Sequence, residues 1–232
     1  MARKARRRKS VDEIIAESSP PPLPHPPAQA KARKTSALIV PKGQRPICIS
    51  FSSRLNNQTA SAFMAALAKA ANDGHDELHV LLSSPGGRVA DGIAVYNFMR
   101  ALAVRIVTYN IATVDSIGNV IFQGGTHRVA SPTSRFMFHG VGFKLPQARF
   151  ELKQLRERTQ KIQNDQSMIN DILVRHTNLS AEEVEKLFLE AAFIRSFDAK
   201  DRGIVDEVID IHLPPGMPII QLVFQGSAQP RR

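Results

Sequence analysis

The chain has 232 residues, 43% of them hydrophobic, with 31 Lys/Arg against 21 Asp/Glu for a net charge of +10. That length suits one large domain with extensions. The single cysteine excludes an internal disulfide framework or a paired-thiolate metal site, and no run reaches the roughly 18–20 apolar residues of a membrane span. Basic residues near the start lack the apolar core of a secretory signal, so the expectation is a soluble, cytoplasmic protein.

The charge is concentrated at one end. Residues 1–35 hold nine Lys/Arg against Asp12, Glu13 and Glu17, which leaves only +4 for the remainder. Between the two basic clusters, "PPPLPHPPAQAKARK" holds six of the fifteen prolines, a composition that cannot build a packed core. Residues 1–40 are therefore expected to form a disordered basic, Pro-rich extension, followed by an α/β domain over 41–212 and a C-terminal strand and tail over 213–232. Such a tail can hold nucleic acid or acidic surfaces without specificity; no specific nucleic-acid role is expected.

From residue 44 the punctuation becomes regular. A strand at 45–51 leads to an Ala-rich helix at 56–73 with Phe63, Leu67 and Ala70 on one face, stopped by Gly74. A strand at 77–84 ends at Pro85-Gly86-Gly87, and a helix over 88–103 carries Val89, Ile93, Tyr96 and Leu102 at helical spacing. Then come a strand at 104–110 and a helix opened by Ser116 and closed by a double glycine. Strands at 126–131 and 134–141 follow, then a long charged helix over about 148–175 with Leu152, Leu155, Ile162, Met168, Ile169 and Leu173 as its stripe. A helix at 180–190, a helical turn and a last strand complete the series. This βαβαβα order predicts parallel strands. Cys48, in the first strand, reads as a buried small hydrophobe.

In an open parallel sheet the functional crevice lies beyond the carboxyl ends of the strands, where "SSPGGR" and "ATVDSIG" both fall. Ser116 has two readings there: an N-cap, or a nucleophile placed where free N–H groups can stabilise an oxyanion. Gly86 and Gly87 read as a tight turn or as exposed backbone donors. A histidine after an apolar strand, as His139 is, is usually structural. Together, the three supply the parts of an acyl-transfer site: nucleophile, base and oxyanion donors.

These segments resemble the proteolytic subunits of Clp proteases, the serine peptidases of the ClpP family. "LLSSPGGRVADGIAVYNFMRAL" is similar to the family's Ser-Pro-Gly-Gly segment and following helix. "ATVDSIGNVIFQGGTHRVASPTSRFMFHG" is similar to its nucleophile segment and histidine-bearing strand, and "FDAKDRGIVDEVID" to its closing turn. The similarity runs from about 45 to 210. It implies a ClpP/crotonase-like spiral of ββα units, with a parallel sheet core and a protruding handle helix at about 148–175. It also implies Ser116 as nucleophile, His139 as general base, and the N–H groups of Gly87 and Ile117 as oxyanion hole. No metal or organic cofactor is implied. The implied partners are peptide or unfolded-protein substrates, further copies in a homo-oligomeric ring, plausibly a stacked heptamer, and an ATP-dependent unfoldase. No Gly-x-x-x-x-Gly-Lys loop is present, so ATP use would belong to that partner.

Three departures stand out. Ala191 occupies the position of the family's catalytic Asp, and Glu190, one residue earlier, is the first candidate to orient His139. Asp198 and Asp206 match the closing turn and read as structural. Asp115 stands where the family has a small residue; it reads as a helix cap, or as a charge opposing an oxyanion in the same cleft. The segment "GVGFKLPQARFE" replaces a glycine-rich stretch that pairs with substrate and supports ring stacking. The rival readings are a catalytically impaired ring subunit and a crotonase-type acyl-CoA enzyme, which shares the spiral architecture but normally uses a carboxylate acid/base.

Overall fold

The computed structural model describes residues 45–142, 149 and 151–224. The expected extension over 1–40 and most of the segment around 143–150 lie outside the described residues. The chain order is β1 (Pro46–Ser52), α1 (Asn57–Asn72), β2 (Glu77–Ser84), α2 (Val89–Ala101), β3 (Arg105–Asp115), α3 (Gly118–Phe122), β4 (His127–Ala130) and β5 (Arg135–Met137). There follow α4 (Leu152–His176), α5 (Ala181–Leu189), β6 (Phe193–Arg195), α6 (Ser196–Asp201), β7 (Glu207–Val208) and β8 (Ile219–Leu222).

The strands form one mixed sheet in the order β6-β5-β3-β2-β1-β8, with β4 and β7 branching from β3. Every pairing is parallel except β5 with β6. Alternation sets the two faces. Ile47, Ile49, Phe51, Leu78, Val80, Leu82 and Ile106 point into the main helix-covered core, while Val107, Tyr109 and Val129 form a small second cluster on the other side.

Helix α1 starts at a capping box: Asn56 Oδ1 accepts from the Thr59 N–H and Thr59 Oγ1 from the Asn56 N–H, both at 3.0 Å. That arrangement satisfies two of the orphan donors at a helix start. Its buried face contains the expected Phe63, Leu67 and Ala70. Helix α2 is rotated from the expected stripe, because it buries Gly92, Val95, Tyr96 and Met99. Gly92 sets that rotation, since a Cβ there would lie 2.3 Å from Ile117 Cγ1. The helix thus rests directly on the residue after Ser116.

Strand β5 stops at Met137, well short of the expected strand over 134–141, and β3 and α4 also differ from the sequence reading. Strand β3 continues past Asn110 to Asp115, because its first half pairs with β4 and its second half with β5. The switch is held by Asn110, whose Nδ2 donates to the Arg135 carbonyl at 2.8 Å while its Oδ1 accepts from the Ala112 N–H at 3.2 Å. The 25-residue helix α4 buries only Ile169, Ile172 and Leu173. The earlier part of the expected stripe is on the surface, with Leu152 63% exposed and Leu155 40%.

Candidate active site

Ser116 lies between β3 and α3, outside both. It has φ +56°, a left-handed conformation that costs a non-glycine residue on the order of 1–3 kcal/mol. Strained strand-to-helix turns of this kind lift a side chain clear of its own backbone. The helix begins at Gly118 with Ile117 as its N-cap, and no side chain caps it. The capping role considered for Ser116 is therefore not taken up, and no intramolecular hydrogen bond engages its hydroxyl among the described residues.

The turn is held from two sides. The Ser116 N–H donates to the Met137 carbonyl at 2.8 Å. Asn119, 1% exposed, donates its amide nitrogen to the carbonyls of Ser116 at 3.0 Å and Met137 at 2.9 Å. The sequence reading missed Asn119, and its one local signal was an amide three residues after the serine in an otherwise apolar helix.

The glycine loop after β2 meets this turn. Gly86 has φ +77°, and a Cβ on it would stand 2.7 Å from both the Asp115 carbonyl and Ser116 Cβ, and 3.3 Å from the Ile117 nitrogen. The loop is fixed from below by Ser84, whose Oγ accepts from the Gly86 N–H at 3.1 Å and donates to the Ser53 carbonyl at 2.8 Å. From the side, the Leu55 N–H donates to the Gly86 carbonyl at 2.8 Å, and the Arg88 N–H donates to the Leu55 carbonyl at 3.1 Å. Neither the Gly87 nor the Ile117 N–H enters a backbone hydrogen bond among the described residues. The loop and the turn thus meet with two unengaged donors.

His139 follows β5 by two residues and is exposed. Its Nδ1 lies 3.0 Å from the Gly140 carbonyl. A carbonyl can only accept, so this contact puts the ring proton on Nδ1 and leaves Nε2 as a basic lone pair. On the other flank, β5 pairs antiparallel with β6, Met137 opposite Phe193, and the Phe138 N–H donates to the Ala192 carbonyl at 2.9 Å. The ladder ends at that pair, because the Ala192 N–H turns away to the Leu187 carbonyl at 3.1 Å. Ala191 has φ +50°.

Glu190 is not brought to the imidazole. It is the C-cap of α5, its side chain 59% exposed and its Oε1 3.9 Å from Lys186 Nζ. No ion pair joins His139 to a carboxylate among the described residues. Asp115 is 9% exposed and accepts from Thr113 Oγ1 at 2.5 Å, so it does not cap α3. Asp206 binds Arg128 through Oδ1 at 2.6 Å and Oδ2 at 3.2 Å. Burial would raise its pKa, but the Arg128 hydrogen bonds and charge outweigh that and hold the carboxyl below its usual range. A structural assignment for Asp206 fits this pairing.

Comparisons with known proteins agree on one lineage. Among solved structures, the chain is similar to a ClpP1 point mutant from Listeria monocytogenes, with 21% identity over 72% of this chain and 91% of that chain and a TM-score of 0.63. It is also similar to the ClpP protease catalytic domain from Plasmodium falciparum, with 25% identity over 73% of this chain and 88% of that one and a TM-score of 0.61. The family model for Clp protease matches residues 34–212, which takes in every element from β1 to β7, and the chain belongs to the Clp protease family.

Proposed function

We propose that this protein is a serine endopeptidase that cleaves peptide bonds through an acyl-enzyme at Ser116. The observation that carries this is the strained Ser116 turn, its hydroxyl unengaged, packed against the Gly86 loop, with the N–H groups of Gly87 and Ile117 both outside any backbone hydrogen bond among the described residues. His139 Nε2 takes the Ser116 Oγ proton as Oγ adds to the scissile carbonyl carbon. The Gly87 and Ile117 N–H groups receive the resulting oxyanion, and the imidazolium returns the proton to the leaving amine. Water then repeats the sequence on the acyl-serine, and no cofactor takes part.

Family membership supports assembly into a ring of identical subunits, with unfolded chains delivered by an ATP-dependent unfoldase in the cytoplasm. The exposed Leu152 and Leu155 on the first turns of α4 fit a helix that meets another subunit. A second reading, a ring subunit that does not turn over, draws on Ala191 where the family has its acid.

Cleavage of a panel of short fluorogenic peptides separates the two. Wild type is expected to cleave, Ser116→Ala and His139→Ala to lose activity, and Glu190→Ala to stay within about threefold of wild type, because an exposed carboxylate at that distance from its partner contributes little. A correctly assembled wild type that cleaves no peptide supports the non-catalytic subunit instead.

A further inference from the structure

We infer that the carboxylate supporting His139 has moved across its strand, from the β6 side to Asp115 on the β3 side. This rests on the peptidase reading above. Strand β5 lies between β3 and β6. On its β6 flank the chain beyond the end of the ladder runs through Ala192 and Ala191, which offer no charge. On its β3 flank Asp115 is the register partner of Met137. Val114, Phe136 and Phe138 are fully buried in the helix-side core, so alternation puts Asp115, Met137 and His139 together on the opposite face. Asp115 is thus the diagonal neighbour of His139 on an adjacent strand.

Its environment fits a fixed charge. Asp115 is 9% exposed and is held through Oδ1 by the Thr113 hydroxyl at 2.5 Å. The two tasks of a triad acid are then divided. The Gly140 carbonyl, 3.0 Å from Nδ1, sets the tautomer, and Asp115 stabilises the imidazolium that forms when Nε2 takes the Ser116 proton. No proton passes to Asp115 at any step. It is a positioning and charge-compensating residue that touches neither substrate nor reacting atoms. Its other possible effect has the opposite sign: beside the oxyanion it would slow the reaction, and its removal would raise kcat.

The test compares wild type with Asp115→Asn, Asp115→Ala, Ala191→Asp and the double variant Asp115→Asn/Ala191→Asp. Asparagine keeps an acceptor for Thr113 and removes only the charge. With strands about 4.8 Å apart and a two-residue rise of about 6.6 Å, the diagonal is about 8 Å; at an effective dielectric near 20, loss of that charge is expected to lower kcat roughly thirtyfold, with KM little changed. Ala191→Asp in the same background is expected to restore at least about tenfold, because Asp tolerates the left-handed conformation at that position. Melting temperatures run alongside, and a kcat loss at unchanged melting temperature supports the assignment. A wild-type rate, or a faster one, in Asp115→Asn overturns it while leaving the peptidase reading intact. Loss in Asp115→Asn that a carboxylate at 191 fails to restore also overturns it. A folded wild type that neither cleaves peptide nor reacts with a fluorophosphonate overturns both.

Discussion

The backbone N–H of Ser116 donates to the carbonyl of Met137 at 2.8 Å, so the turn that presents the serine hangs from the strand that delivers His139. Asn119 closes the same junction by donating to both carbonyls. Its own Oδ1 is buried without a partner among the described residues, so the residue is placed for its amide nitrogen. Asn119→Ala removes one of two donors from each carbonyl, since Met137 keeps the Ser116 N–H and Ser116 keeps the Asn119 N–H, and the two lost hydrogen bonds are expected to cost about 0.5–1.5 kcal/mol each in urea unfolding. Because small misplacements of reacting groups are costly, kcat should fall about tenfold or more while KM changes little. Steady-state kinetics beside the unfolding curve would separate the two effects.

The glycine loop makes a sharper demand. At Gly86 an added methyl meets the Asp115 carbonyl and Ser116 Cβ at 2.7 Å, in a conformation that side chains disfavour. Gly86→Ala should displace the Gly87 N–H from the Ile117 N–H and reduce kcat on the order of 10²–10³-fold, the scale of losing one oxyanion donor. Circular dichroism should show the fold intact. Full activity in that variant would remove Gly87 from the oxyanion hole.

Ala191 holds φ +50°. Relief of the left-handed penalty, about 1–2 kcal/mol, exceeds the unfolded-state entropy that glycine adds, about 0.4–1 kcal/mol. Ala191→Gly should therefore raise the unfolding free energy by up to roughly 1 kcal/mol, read from the urea midpoint at unchanged slope. A lowered midpoint would mean that the methyl contributes packing that outweighs the strain.

On the far face of the sheet, His79 is 1% exposed with Nδ1 2.8 Å from the Tyr109 hydroxyl. Burial, and secondarily the Arg105 charge, push its pKa down to about 4. A histidine buried neutral binds its proton more readily when unfolded. Its contribution to stability is complete above about pH 6.5 and is lost as pH falls toward 4, by up to roughly 3 kcal/mol. Asp206, whose carboxyl is held below its usual range, contributes an acid loss only at lower pH. Urea titrations between pH 7 and 4 should show this slope, and His79→Gln should flatten it.

Much of this was legible in the sequence, because glycine turns and amphipathic spacing record local needs. The alternation of strands and helices, the parallel pairing and the glycine turn at 86–87 followed from them. The end of β3 did not: Asn110 looks like a strand breaker but is fully buried and bonded to Arg135, a partner 25 residues away. The rotated face of α2 likewise depends on Ile117 filling the space at Gly92. Glu190 sits beside Ala191 in sequence, yet α5 holds it as its C-cap, with Oε1 3.9 Å from Lys186 Nζ. Adjacency along the chain says little about direction at a helix end.

The most direct test of the central claim is intact-mass and peptide-mapping analysis after a fluorophosphonate is added to the full chain. A single adduct on Ser116, absent from Ser116→Ala and strongly slowed in His139→Ala, is the expected result. An unmodified Ser116 in folded, assembled protein, or labelling that His139→Ala leaves unchanged, would contradict it.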